Sequence, residues 1–321
     1  GIIDVESFKN AKTFTKDTRT SGNYKISFIS DSKLILEPSA KNSGVEPDNP
    51  QKIEFTKQGD TQRIRELVKT GQVDFLEIQS EDVLRAAEDS KQYNIISGGL
   101  DNLATLQARS LNSDEMETLK ILVKFLDKSL LARGEKRLAS KLVAYSVVET
   151  EKRLQLIEIE HAKSLLTGKT SSLKIMLGEE LADAKMIREQ AEKIGLKIEI
   201  VYPVKEFRKL WESESYGLTL ARMGVYAEDE SELLHGYFCT GYKPYASLKN
   251  NICDEINKAT KPGATPDAIK KHLKLAYDKL EKSGKIIPLY HFPRKFLVHK
   301  KWKLKNYNNL SPFPIFTSFH L

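Results

Sequence analysis

No apolar run in this 321-residue sequence reaches the length that a helix needs to cross a bilayer. Cysteine is scarce. Cys239 and Cys253 stand alone, fourteen positions apart, with no Cys-x-x-Cys pair or Cys/His cluster around them, which argues against a zinc framework. Two buried thiols are the expectation, with a disulfide left open for an oxidising compartment. The histidines His161, His235, His272, His291, His299 and His320 are scattered, and none has the i, i+4 partner of a metal-binding helix. No serine nucleophile elbow occurs. Gly168-Lys169-Thr170 has Lys163 where a phosphate loop needs glycine, and it precedes a strand, so it reads as a helix end. Ser97-Gly98-Gly99 lacks the third glycine of a dinucleotide fingerprint and reads as a turn. The expectation is therefore no catalytic residue, no resident metal and no cofactor.

What is present is an ordinary globular composition, 40% hydrophobic and 30% charged. The 51 basic and 44 acidic residues are interspersed, and the net charge of +7 forms no large single-sign block. Arg294, Lys295, His299, Lys300, Lys301, Lys303 and Lys305, with Phe296, Trp302 and Tyr307 among them, make the best candidate for a phosphate-contacting strip. A lysine-fringed strand at a domain surface is the favoured reading of them, so no nucleic-acid partner is expected.

Along the chain, Tyr24 to Leu36 alternates apolar and polar residues as a hairpin turning at Asp31-Ser32-Lys33. Residues Pro38 to Pro50 read as a crossing segment. A strand at Lys52–Thr56, a helix ending before Gly71, a strand at Val73–Ile78 and a helix capped by Ser80 form a strand–helix–strand–helix unit. Apolar spacing predicts helices over 112–134, most of 139–166, 181–194, 203–211 and 264–283. Thr265 caps the last of these and Pro266 is its first residue. Strands are predicted over 171–177, 196–202, 217–223, 286–289 and 295–298. The fold class is thus α/β, with mixed sheets flanked by helices.

One segment carries more chemistry than the rest. Arg222, Met223, Gly224, Val225, Tyr226 and Glu228 follow directly on a buried strand. Ligands in α/β sheets bind at strand ends, and a strand-end glycine lets another backbone approach. Arg222 and Glu228 on either side of that glycine suit the two charges of a zwitterion; surface ion pairs are the plainer alternative.

Ordered pieces of the chain resemble family 5 extracellular solute-binding proteins, the receptors of oligopeptide-type importers. Ser21-Gly22-Asn23-Tyr24 is similar to the family's glycine–tyrosine hairpin, and Thr70-Gly71-Gln72-Val73-Asp74 to its "sGevD" segment. Leu119 to Lys128 is similar to its "alsyaiDR" helix, Glu192 to Ile200 to its "lkkiGikvei" stretch, and Ile287-Pro288-Leu289-Tyr290-His291 to its "iPLyh". The tyrosine–tryptophan pair common after the hairpin is missing from Leu36 to Pro47, and Val225 stands where an aromatic is common.

The resemblance implies a periplasmic-binding-protein-like two-lobe architecture that closes on ligand. Residues 1–48 and 271–321 would belong to lobe one, and 49–270 to lobe two. It implies an incomplete lobe one, because family members carry a long additional segment ahead of this start. It places Pro288-Leu289-Tyr290 beside Gly22-Asn23-Tyr24. It implies an ABC importer's substrate-binding component, capturing a peptide or other small solute in an interlobe cleft for a membrane permease. Such a protein is a monomer, periplasmic or lipid-anchored. Backbone at Gly224 would pair with an extended peptide, and Glu228 would hold its amino terminus. The alternative from another class is an α/β hydrolase or transferase.

Overall fold

The computed structural model describes residues 23–39, 45–58, 60–78, 80–100, 102–143, 146, 156–177, 182–202, 204, 206–213, 215–225, 229–240, 248–305 and 319–320. They divide into two compact units, one of residues 1–99 with 294–321 and one of residues 100–293. No helix among the described residues is long and apolar enough to cross a membrane.

In the first unit, strands β1 (Tyr24–Ile29) and β2 (Lys33–Pro38) form the expected hairpin, and β3 (Ile53–Thr56) pairs antiparallel with β2. Helix α1 (Thr61–Lys69) is capped by the Asp60 carboxylate, which accepts from the Gln62 amide. Gly71 follows at φ +69°, where any Cβ would run into the Gln92 side chain. Strand β4 (Phe75–Glu77), helix α2 (Glu81–Ser90) and strand β5 (Tyr93–Ser97) come next. Strand β5 is not among the strands expected from the sequence. Strands β4 and β5 do not touch each other. A strand from the far end of the chain, Lys295–His299, lies between them and pairs antiparallel with both. Val68, Val83, Ala86, Ala87, Tyr93 and Leu297 form the small core of this layer.

The second unit is built on a six-stranded mixed sheet. Its strands are β6 (Asn102–Ala108), β7 (Arg137–Leu138), β8 (Ser172–Met176), β9 (Lys197–Val201), β10 (Leu218–Gly224) and β11 (Ile286–Phe292), in the spatial order β7-β11-β6-β10-β8-β9. Strands β10, β8 and β9 run parallel, and β6 is antiparallel to both β10 and β11. One face packs on α3 (Ser113–Phe125), α4 (Ile159–Leu166) and α5 (Ala182–Glu192), burying Leu106, Leu122, Ala162, Ile175, Ile187 and Leu220. After α6 (Phe207–Glu212) come α7 (Glu230–Phe238), α8 (Lys249–Ala259) and α9 (Pro266–Ser283), which cover the other face around Leu103, Met223, Phe238, Ile256 and Leu280. The period-2 alternation of β6 and β10 divides the two cores.

The remaining strands, β12 (Lys295–His299), β13 (Lys303–Leu304) and β14 (Phe319–His320), belong to the first unit. The division between the compact units falls at 99/100 and 293/294. The reason is strand pairing. β4, β5 and both short helices pack with β12, whereas β11 is hydrogen-bonded along β6 and stays in the central sheet until Phe292. Pro288-Leu289-Tyr290 therefore lies in the second unit and Tyr24 in the first.

Two other expectations change. Helix is described from 159 to 166 only, where most of 139–166 was expected; residues 147–155 lie outside the described residues. Cys239 and Cys253 form a disulfide that ties the end of α7 to α8. They are not two free thiols, because the two helices pack against each other and bring the residues within bridging reach.

Candidate functional site

The register of the central sheet sets its functional edge. Gly224 ends β10 opposite Asn102, which begins β6, and Asn102 is also level with Phe292 at the end of β11. Met176, the last residue of β8, pairs with Thr219. β10 thus runs on from Leu220 to Gly224 with β6 on one flank and, among the described residues, no strand on the other. Among the described residues this leaves a length of strand edge unpaired at the carboxyl end of a parallel strand, the place where α/β sheets take ligands.

Arg222 is exposed at this open end, and its guanidinium lies 5.5 Å from the centre of the Phe292 ring. Tyr290, two residues back on β11 and on the same face, donates its hydroxyl to Asp183 in the first turn of α5. Lys136 completes the group. Its Nζ lies 3.5 Å from Asp183 Oδ1 and 4.2 Å above the Tyr290 ring, and it donates to the Leu131 carbonyl at 3.1 Å. Burial raises the Tyr290 phenol well above the usual tyrosine range. The Asp183 charge raises it further, and Arg222 opposes the shift. Tyr290 therefore stays protonated and remains the donor to Asp183.

Neighbouring groups hold this edge in place. The Tyr237 hydroxyl of α7 donates to the Gly224 carbonyl. The Lys128 Nζ donates to the Pro288 carbonyl at 2.7 Å, beside the irregularity in β11 between Pro288 and Tyr290. Burial lowers that ammonium to about 8, against the raising effect of Glu281. His291 is 2% exposed, and burial brings it down to about 4, so it is neutral at physiological pH.

The sequence-predicted residues separate accordingly. Arg222 and Gly224 lie at the open edge. Met223 and Val225, each 3% exposed, point into the helical core with Leu234 and Phe238 and offer no side chain to a ligand. Tyr226 and Glu228 lie outside the described residues. Phe292, Tyr290, Asp183 and Lys136 were not anticipated at this place. In the sequence Tyr290 stands out only as part of the motif at 287–291, and the others come from distant stretches that only the fold brings together.

Solved structures with this mixed α/β fold include substrate-binding proteins of ABC transporters. The substrate-binding protein CtaP of Listeria monocytogenes matches with a TM-score of 0.75 at 15% identity, over 95% of this chain and 67% of its own. NikA of Staphylococcus aureus, solved with Ni(L-His)2, matches at 0.73 and 16% over the whole chain and 72% of its own. The dipeptide-binding protein of Pseudoalteromonas sp. SM9913, solved with Met-Leu, matches at 0.73 and 15%, over 94% of this chain and 64% of its own. The chain spans about two thirds of the length of these structures. No family model and no curated protein matches the sequence.

Proposed function

We propose that this chain is the ligand-binding part of an ABC-importer receptor, and that it takes a peptide or similar small solute along the open flank of β10. The observation that carries this reading is the shared fold, together with an exposed arginine on an unoccupied strand edge at the place where such sheets bind ligands. An extended peptide paired to that edge would use its main chain, which suits ligands of varied sequence. Arg222 would take the ligand's carboxylate. Glu228 keeps the role that the resemblance gives it, binding the amino terminus. Met223 and Val225 support the strand end from below.

The same reading makes the chain a carrier and not an enzyme, in keeping with neighbours that are transport proteins. Its partner would be a membrane permease, and its compartment periplasmic or membrane-anchored outside the cytoplasm. The Cys239–Cys253 disulfide favours such an oxidising location. The protein would act as a monomer and bind no nucleic acid. Two lysines of the C-terminal basic strip are already paired, Lys301 with Asp74 at 2.6 Å and Lys305 with Asp48 at 3.8 Å.

The test is calorimetric titration with defined peptides of two to five residues. Saturable binding is expected, and Arg222→Ala should weaken it by about tenfold or more, equivalent to about 1.4 kcal/mol. Absence of binding to every peptide, or unchanged affinity in the Arg222 variant, would overturn the assignment.

A further inference from the structure

A second site stands apart from the sheet edge, in the first unit. Residues 45–51 form a turn around Asn49, which is 2% exposed. The Asn49 Oδ1 accepts the Glu46 amide at 2.7 Å, and its Nδ2 donates to the Phe319 carbonyl at 2.9 Å. Gln51 Nε2 donates to the carbonyls of Glu46 and Asn49 at 2.9 and 3.1 Å. These bonds pin the turn to β14 and bring Glu46, Asp48 and His320 together, with one ligand-type atom of each within 4.8 Å of the others. His320 is 8% exposed, and its Nδ1 lies 2.9 Å from Asp48 Oδ2 and 3.4 Å from Asn49 Nδ2. Lys305 Nζ stands 3.8 Å from the same Asp48 oxygen, so the group already draws a cation.

We propose that Glu46, Asp48 and His320 bind a divalent transition-metal ion, with Zn2+ the best match. Two carboxylates neutralise its charge, and the imidazole nitrogen selects it over magnesium and calcium, which take oxygen ligands. Bonds of about 2.1 Å place tetrahedral ligands about 3.4 Å apart. Small side-chain rotations of Glu46 and Asp48 close the remaining gap, since the backbone between them is already fixed. Lys305 is exposed and swings away as the ion enters. Three protein ligands leave a fourth position for water. The ion would staple the turn to β14, which lies 272 positions from Asp48 in sequence. No local motif announces such a site, because its histidine comes from the opposite end of the chain.

The full chain, stripped of metal with EDTA, is titrated with ZnCl2 by calorimetry. One Zn2+ per chain is expected. Asp48→Asn and His320→Gln should each lower the affinity by about tenfold or more, and Lys305→Ala should raise it. His272→Gln, in the second unit, should leave it unchanged. Zn2+ should also raise the melting temperature of the wild-type chain and not that of the Asp48 variant. Equal affinity in the wild-type, Asp48→Asn and Lys305→Ala chains overturns the proposal. So does loss of binding in His272→Gln alone. Asp48 and Lys305 are surface side chains, so these two variants keep the test decisive even where His320→Gln fails to fold.

Discussion

Reducing the Cys239–Cys253 disulfide is expected to destabilise the second unit by about 3 kcal/mol. The bridge joins residues 14 apart, and a closed loop of about 15 residues removes roughly that much loop-closure freedom from the unfolded chain. Its two ends sit on packed elements: Cys253 is 6% exposed in the core that holds Phe238, Ile252 and Ile256, and Cys239 caps α7. For a unit of this size the loss corresponds to a fall in melting temperature of about 6–12 °C. The assay is thermal and urea unfolding followed by circular dichroism, with and without a phosphine reductant, beside a Cys239→Ala/Cys253→Ala chain. The reduced wild-type and the double variant should melt together, below the oxidised protein, and the variant should ignore the reductant. A functional loss should accompany the structural one. α7 also carries Tyr237, which holds the Gly224 carbonyl, so a loosened helix end reaches the edge where Arg222 stands. An oxidised and a reduced protein with the same midpoint would refute the reasoning.

Two further outcomes follow from the packing of the second unit. Glu255 is paired with His272 at 2.9 Å and Lys279 at 3.0 Å, and those partners, His272 foremost, hold its carboxyl at about 2 against an ordinary 4.5. A carboxyl lowered on folding stabilises the protein above its unfolded value and loses that contribution as pH falls. Midpoints of urea unfolding should therefore decline from about pH 4.5 toward 2 less steeply in Glu255→Gln than in the wild-type chain; identical slopes would show that the pairing carries no stability. Leu122 is fully buried between α3 and the sheet, so Leu122→Ala should cost about 2–5 kcal/mol by urea unfolding, and a loss below about 1 kcal/mol would contradict the described core.

The elements that were legible in the sequence are those whose signals are local. Thr265 with Pro266 marks the start of α9, and Gly284, at φ +63°, marks its end. The hairpin of β1 and β2 shows its alternation, and Leu218 to Met223 reads as buried strand. The central position of strand β6 was not legible, for a physical reason. It lies in the middle of the sheet, buried on both faces, yet carries Thr105 and Gln107 where apolar residues are expected. Those polar side chains are satisfied internally: Gln107 donates to Thr105 and accepts from Trp211 and Tyr216. The apolar/polar alternation of Ala104 to Ala108 is that of a half-buried strand, so it does not announce a central strand covered on both faces. Helices α7 and α8 are not among the helices expected from the sequence, and their apolar positions are interrupted by Glu232, His235, Asp254 and Glu255. Of the candidate site, Arg222 and Gly224 followed from their place at a strand end. Strict alternation along that strand already separates Met223 from Arg222, a signal that was there to be used. Phe292, Asp183 and Lys136 depend on which strand lies beside which, and that is fixed by long-range pairing.

The placement of β12 has a consequence for the order in which the molecule can be completed during synthesis. The second unit is one uninterrupted run, and its first and last strands meet where Asn102 pairs with Phe292, so everything it needs has been made by the time Pro293 is added. In the first unit β1, β2 and β3 pair among themselves, but the layer of β4 and β5 has to wait. β4 and β5 have no partner in each other, and the strand that joins them comes nearly two hundred residues after β5 in sequence order. Their hydrogen-bonding edges stay open through the entire emergence of the second unit. The layer of β4 and β5 is thus made before the second unit and closed after it.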